Sequence, residues 1–282
     1  MKIRASAIVA FVACAVLTTF AQAPQGGRGG GQPGAAPPRQ APSTTAPQGA
    51  LDAKKVIETM QDNFGMLRGM NRNDAVNRLE LWGTQGTRVI GGRPVTLTNW
   101  KISLNYNMSG MRFDYTHDGQ RTIEVVSDKY AWNEETPGGK ATPMPAALAE
   151  RQLQIVLTPI GFAKAAKANE ALAKVATTGG VTTLTFPAAG ATITATLNKY
   201  MEPDKVEARQ GTTVTNVTYS QYGDWNDDAK ADVYLPKRIV QTQGGTTVLD
   251  LTLTNTNTYN PYVIMPVPEN VKTAAPAGAR SN

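Results

Sequence analysis

An acidic run in the last third of the chain has the spacing of a metal-binding loop. Oxygen-bearing side chains stand at every second position and then four residues later, at Asp224, Asn226, Asp228 and Asp232. This is typical of the first part of a calcium loop. The pattern then fails, because Ala229 replaces the turn glycine and Leu235 replaces the closing bidentate glutamate. We predict a solvated loop and no metal site, and keep calcium as the weaker alternative.

The groups that could catalyse a reaction are few. His117 is the only histidine, and its Thr-His-Asp-Gly context is typical of a hairpin turn. Glu134 and Glu135 could supply a carboxylate pair for glycoside hydrolysis, but adjacent side chains on an extended loop diverge. No glycine-rich phosphate-binding motif stands between a strand and a helix. The sequence therefore predicts a protein that is not an enzyme and has no cofactor.

The charge of the chain excludes one class of partner. The formal net charge is +6, but residues 1–50 contain four basic residues and no acidic ones. The remainder has 24 basic against 22 acidic residues, a net charge of +2. Nucleic-acid binding requires a marked basic surface. We therefore predict no nucleic-acid partner.

Residues 1–23 have the organisation of a secretory signal peptide. Lys2 and Arg4 precede an apolar stretch, which ends at the small-residue site Ala21-Gln22-Ala23, with cleavage after Ala21 as an alternative. The only cysteine, Cys14, lies within the apolar stretch, so a lipid-anchored Cys14 is the weaker interpretation. No apolar stretch reaches the length of a transmembrane helix. We predict an exported protein, periplasmic or extracellular, with association to an outer membrane left open, and not a transmembrane protein.

A spacer follows at residues 24–50. It contains six prolines and seven glycines but no large apolar residue. Such a segment cannot bury enough apolar surface to offset its ordering entropy, so we predict disorder. It is either a tether that holds the domain away from a surface or an unselected tail. A second flexible segment is predicted at residues 272–282, leaving residues 51–271 as the folded domain.

Helical patterns begin the domain and return at its centre. Asp52 is a good N-cap for a first helix, and Gly65 is a good stop. A second helix is predicted over residues 145–157. Thr158 and Pro159 then supply the cap and first position of a third helix, which is predicted to reach about Val175 and to end at Gly179-Gly180.

Alternating apolar and polar residues fill the rest of the domain. About five strands are predicted before the central helices and five or six after them. Beyond Asn99 the apolar phase shifts by one residue, which predicts a bulge. The turn at His117-Asp118-Gly119 predicts a hairpin. This order indicates an α+β fold: one large antiparallel sheet, with helices covering one face.

The order of elements resembles the LolA/LolB-like outer-membrane lipoprotein-sorting superfamily over about residues 51–271. The resemblance rests on the first helix and on four segments: Met111–Tyr115, Val126–Trp132, Leu235–Ile239 with Leu249–Leu251, and Pro266–Pro268. It implies a curved half-barrel sheet with the N-terminal helix and the central helical pair on its concave face. It also implies a diffuse apolar cavity for acyl chains.

If the sheet curls in this way, the inward phase of several strands should line the cavity. The predicted lining residues are Trp100, Ile102, Leu104, Phe113, Tyr115, Ile193, Leu197, Leu249 and Leu251, with Leu148, Ile155 and Phe162 on the lid. We predict a non-catalytic carrier of a hydrophobic molecule or of a lipid or lipoprotein acyl chain. The alternative is a structural module of the cell envelope with a filled core, which contacts another envelope protein.

Overall fold

The computed structural model describes residues 51–225 and 233–274, together with Ala46 and Gly49. The predicted signal peptide, nearly all of the predicted spacer and residues 275–282 of the predicted tail lie outside this range. The expectations for those segments, and the domain boundaries that depend on them, stay predictions.

The first helix, α1, spans Ala53–Asn63. The Asp52 side chain accepts a hydrogen bond of 2.7 Å from the Lys55 backbone N–H, which satisfies one of the free donors of the first turn. The chain leaves the helix through Gly65, which adopts a left-handed conformation with φ of 73°. Both ends agree with the sequence prediction.

Two helices occupy the centre of the chain, and a short one lies near its end. They are α2 (Leu148–Val156), α3 (Pro159–Ala168) and α4 (Glu269–Lys272). The predicted extension of the third helix to Val175 is wrong, because α3 ends at Ala168 and residues 174–178 form a strand. Gly179 and Gly180 both have positive φ and form the turn of the following hairpin.

Fourteen strands make up the rest of the described domain. They are β1 (Arg78–Ile90), β2 (Arg93–Asn105), β3 (Gly110–His117), β4 (Gln120–Ser127), β5 (Tyr130–Glu134), β6 (Ala141–Pro143), β7 (Lys174–Thr178), β8 (Val181–Ala188), β9 (Ala191–Leu197), β10 (Pro203–Gln210), β11 (Thr213–Asp224), β12 (Tyr234–Gln243), β13 (Thr246–Thr252) and β14 (Asn255–Asn257). Six precede the helical pair and eight follow it, somewhat more than predicted.

All of these strands belong to one antiparallel sheet. Its order is β6-β5-β4-β3-β2-β1-β13-β12-β11-β10-β9-β8-β7, and β14 pairs with the first half of β1. The two end strands, β6 and β7, do not pair with each other, so the sheet forms an open half-barrel. The predicted α+β class and half-barrel are confirmed.

The predicted bulge lies in β2. The register between β2 and β3 shifts between Thr98 and Lys101, and Asn99 has a φ of 49°. The extra residue turns Trp100 and Ile102 inward, although Leu97 before the bulge also faces inward. The bulge therefore keeps one long strand apolar on its inner face along its whole length.

The inner face of the sheet is covered by helices, and part of its outer face is covered by the C-terminal segment. The main core lies between the inner face and α1, α2 and α3. A second, smaller core lies on the opposite face of β4 and β5, where Val263, Met265 and Val271 of the C-terminal segment cover Val125 and Trp132.

Candidate functional site

A cavity of about 200 Å³ lies between α2 and the inner face of the sheet. Its lining includes apolar side chains from four strands and from the end of α2: Ile102, Met111, Phe113, Leu157, Ile239, Leu249 and Leu251. Glu150 and Gln243 also line it and are solvent-exposed, so they mark where the cavity meets solvent. The wall also contains polar and charged side chains, among them Arg88, Glu124, Arg151, Gln154 and Gln241. A cavity that combines apolar surface with convergent polar groups is typical of a ligand site.

An ion pair forms part of the cavity wall. Arg88 Nη2 of β1 lies 2.9 Å from Glu124 Oε2 of β4. The second carboxylate oxygen of Glu124 accepts a 2.9 Å hydrogen bond from the Tyr115 hydroxyl. The Arg88 guanidinium also lies over the rings of Phe113 and Tyr115, at 5.2 and 5.0 Å from their centroids. Glu124 is therefore satisfied at both oxygens, and Arg88 is held in one position.

The environment of Arg88 keeps it charged. Burial acts to lower the pKa of Arg88, but its interactions with Glu124, Tyr115 and Glu150 together outweigh this effect, and the pKa is raised. Burial has the opposite effect on the Tyr115 hydroxyl and raises its pKa. The hydroxyl therefore keeps its proton and acts as a hydrogen-bond donor. Among the residues that the structure describes, Arg88 Nη1 is buried without a hydrogen-bond partner.

A second arginine fastens α2 to the sheet. Arg151 Nη1 donates hydrogen bonds of 2.9 and 2.6 Å to the carbonyl oxygens of Val125 and Trp132, and Nη2 donates one of 2.6 Å to Asn133 Oδ1. Desolvation by burial lowers the pKa of Arg151. Because three bonds join the helix to β4 and β5, a movement of α2 away from the sheet must break them.

A tight elbow joins α2 to α3. The Thr158 side chain accepts a hydrogen bond of 3.2 Å from the Gly161 N–H and donates one of 2.7 Å to the Ile155 carbonyl oxygen. The Tyr219 hydroxyl of β11 donates a 2.8 Å hydrogen bond to the Leu157 carbonyl oxygen. The elbow at Thr158-Pro159 thus lies beside the cavity and is fixed to the sheet.

The predicted lining residues occupy three kinds of position. Ile102, Phe113, Leu249 and Leu251 line the cavity. Leu148 and Ile155 are half-buried on α2. The other six lie in the packed core and not on the cavity wall: Trp100, Leu104, Tyr115, Phe162, Ile193 and Leu197.

The polar residues of the cavity wall were not predicted from the sequence. Arg88 and Glu124 face inward, whereas the apolar neighbours of Glu124, Ile123 and Val125, belong to the second core on the opposite face. In an alternating strand, the apolar side chains are normally expected to face inward. The alternation around Glu124 is visible in the sequence, but only the pairing with β3 and β5 shows which phase faces α2.

The residues considered for catalysis make contacts that hold the fold together or lie at its surface. Glu134 accepts hydrogen bonds from Arg112, the Trp132 indole N–H and the Gly138 N–H, while Glu135 pairs with Lys140 on the surface. His117 ends β3, beside the predicted hairpin turn.

The acidic run falls largely outside the described residues. Of its four members, only Asp224 is described, and it ends β11; Asn226, Asp228 and Asp232 are not described. Within residues 51–225 and 233–274, no group of three or more His, Cys, Asp or Glu residues could hold a metal ion. The predicted solvated loop without a metal site, and calcium binding as its weaker alternative, both stay predictions.

No helix within the described part of the chain has the length and apolar character needed to cross a membrane.

Comparisons with known proteins give matches to solved structures. No family model matches the chain, and no curated protein matches it. One similar structure is described as a LolA superfamily protein from Nitrosomonas europaea; it is 10% identical, with a TM-score of 0.46, over 80% of this chain and 99% of that chain. Another is an uncharacterized conserved protein from Thermus thermophilus, 10% identical, with a TM-score of 0.31, over 79% of this chain and 94% of that chain.

Proposed function

We propose that this is an exported, non-catalytic protein that binds a hydrophobic ligand, such as an acyl chain, in the cavity under α2. The observation that carries the proposal is the cavity itself, which has an apolar wall from four strands and an opening to solvent beside Glu150. The signal-like residues 1–23 support export to the periplasm or beyond.

The volume of the cavity limits what it can hold. Ligand pockets for small molecules usually have about 300–1,000 Å³, and this cavity has about 200 Å³. A single short chain therefore suits it with α2 in place. A longer chain requires α2 to move about its elbow at Thr158, which breaks the bonds of Arg151 to the sheet.

The energy of chain burial is sufficient for useful affinity. Burial of one methylene group contributes about 0.8 kcal/mol, so eight to ten methylenes contribute roughly 6–8 kcal/mol. Loss of translational and rotational freedom and the movement of α2 oppose binding. We expect dissociation constants in the micromolar range.

Titration with a fluorescent fatty acid tests the proposal. The wild type is expected to show saturable binding. Leu249→Trp should abolish it, because the larger, mostly apolar side chain occupies the space that the ligand would fill. Val181→Trp is the matched control, since Val181 is about half exposed at the start of β8, outside the cavity. Circular dichroism checks that both variants are folded.

A filled-core structural module is the second candidate. The observation that favours it is the close packing of the rest of the inner face, where the rings of Phe162 and Phe186 lie 5.3 Å apart and Trp100 is buried. Its partner would be another envelope protein. Absence of saturable binding by the folded wild type would contradict the carrier and favour this module.

A further inference from the structure

Arg88, which lines the cavity, has a hydrogen-bond donor for which no described residue supplies an acceptor. Arg88 Nη2 is paired with Glu124, whereas the buried Nη1 of the same guanidinium has no partner among the described residues. Arg88 lines the cavity beside Phe113 and Leu249. A buried donor without an acceptor is costly, so an acceptor brought by a ligand would be favoured at this atom.

We propose that the cavity recognises the carboxylate head of a single-chain fatty acid at Arg88 Nη1, while the hydrocarbon chain lies against Ile239, Leu249 and Leu251. This inference rests on the proposed function and adds the chemical class of the ligand to it. A guanidinium and a carboxylate form charge-assisted hydrogen bonds, which are about twice as strong as neutral ones.

The balance of buried charge favours an anionic head over a neutral one. Arg88 and Arg151 are both largely buried in the wall, and Arg151 gives its three hydrogen bonds to uncharged acceptors. Among the described residues of the wall, Glu124 is the only carboxylate that is not exposed, because Glu150 faces solvent. The wall thus has two buried positive charges against one buried negative charge, and a carboxylate would balance them.

Paired titrations test the head group separately from the chain. Decanoic acid and decanol have the same chain length but different heads, and each is titrated into the full-length protein at neutral pH by isothermal calorimetry. We expect the wild type to bind the acid about tenfold more tightly than the alcohol, as for one added hydrogen bond to a charged group.

Three variants locate the effect at Arg88. Loss of Arg88 alone would leave Glu124 buried without its counter-ion, so the test uses the double variant Arg88→Gln with Glu124→Gln, which should bind the acid and the alcohol equally. Glu124→Gln alone should increase the preference for the acid, because it removes the competing carboxylate from Arg88. Arg238→Gln should retain the wild-type ratio, since Arg238 pairs with Asp250 on the opposite face.

Each outcome decides a different question. Equal binding of acid and alcohol by the wild type, or an unchanged preference in the double variant, would overturn the head-group inference and leave the apolar carrier intact. Binding of neither ligand by the folded wild type would overturn both proposals.

Discussion

Glu202 is a buried carboxylate that is remote from the cavity wall. It is 2% exposed at the turn between β9 and β10. Its Oε2 accepts a 2.8 Å hydrogen bond from Asn198, but Oε1 is buried and has no partner among the residues described. Burial raises the pKa of Glu202; the Asn198 hydrogen bond opposes this effect, and the nearby Asp204 adds to it.

The raised pKa fixes the sign of a pH effect. The folded protein binds the Glu202 proton more tightly than the unfolded chain does, so this group stabilises the fold at pH values below its unfolded pKa. That contribution is lost as the pH rises through the higher, folded-state pKa. Once the pH exceeds this folded-state pKa, Glu202 is a charged and incompletely bonded group in the core.

We therefore expect Glu202→Gln to stabilise the protein at neutral pH. The amide keeps the oxygen that Asn198 bonds and removes the buried charge. The expected gain is about 1–3 kcal/mol, and each kcal/mol raises Tm by about 2–4 °C in a domain of this size. Thermal unfolding across acidic to neutral pH measures it, and the gain should shrink in acid. Glu135→Gln is the surface control. A lower Tm of Glu202→Gln at neutral pH would contradict the argument.

The helix caps could be predicted from the sequence, but the side of a strand that faces the cavity could not. Asp52 and Thr158 cap their helices as predicted, because capping depends only on the next few residues. The inward position of Arg88 and Glu124 depends on strand pairing between residues far apart in sequence. A charged residue in an alternating strand is normally assigned to solvent, so the polar wall of the cavity was missed.

At the scale of elements, the elbow between α2 and α3 requires a glycine. A side-chain carbon at Gly161 would overlap the Ile155 carbonyl oxygen and lie 2.5 Å from Thr158 Oγ1. Gly161 has no positive φ that would itself require a glycine, so close approach is the reason for this residue. The end of α2 is thereby held close to the first turn of α3.

Gly161→Ala should therefore destabilise the helical pair. The added methyl group must push the Ile155 carbonyl away and weaken the hydrogen bond from Thr158. We expect a loss of about 1–3 kcal/mol, the usual cost of overpacking, seen as a lower Tm. Thr158→Ser is the control at the same elbow, because it keeps the capping hydroxyl and adds no atom. An unchanged Tm for Gly161→Ala would show that Ile155 moves aside without cost.

The incorrect prediction of where α3 ends also has a physical cause. Gly179-Gly180 suits a helix stop, but a glycine pair is equally suited to a two-residue hairpin turn with positive φ at both positions. Thr177 and Thr178 before it, and Val181 after it, are β-branched and favour strands. Ala173 already adopts an extended conformation after the 3₁₀ turn that follows α3.

At the scale of the whole molecule, the C-terminal segment covers the outer face of the sheet at β4, β5 and β6. Asn105 Nδ2 donates a 2.8 Å hydrogen bond to the Val263 carbonyl oxygen, and Asn270 Nδ2 donates one of 2.8 Å to the Ala141 carbonyl oxygen. The segment so fixed covers Trp132, which is fully buried. From the sequence, only one covered face was predicted. Alternation of apolar and polar residues distinguishes the two faces of a strand, but it does not show that a segment distant in sequence packs on the outer face.

Removal of this segment should therefore unfold part of the sheet. A chain that ends at Asn260 loses Val263, Met265 and Val271, each no more than 3% exposed, and exposes Trp132 to solvent. Each buried side chain of this kind contributes about 1.5–3 kcal/mol, so the total is a large part of the roughly 5–15 kcal/mol that keeps a domain folded.

The expected result is a Tm lower by about 10 °C or more and increased binding of a dye that reports exposed apolar surface. A chain that ends at Ala274 keeps all three side chains and α4, and it should retain the Tm of the full chain. If the two truncated chains have the same Tm, the second core does not stabilise the fold. The C-terminal segment and the cavity lie on opposite faces of the sheet. A folded chain that ends at Asn260 and still binds decanoic acid would therefore show that ligand binding does not require the second core.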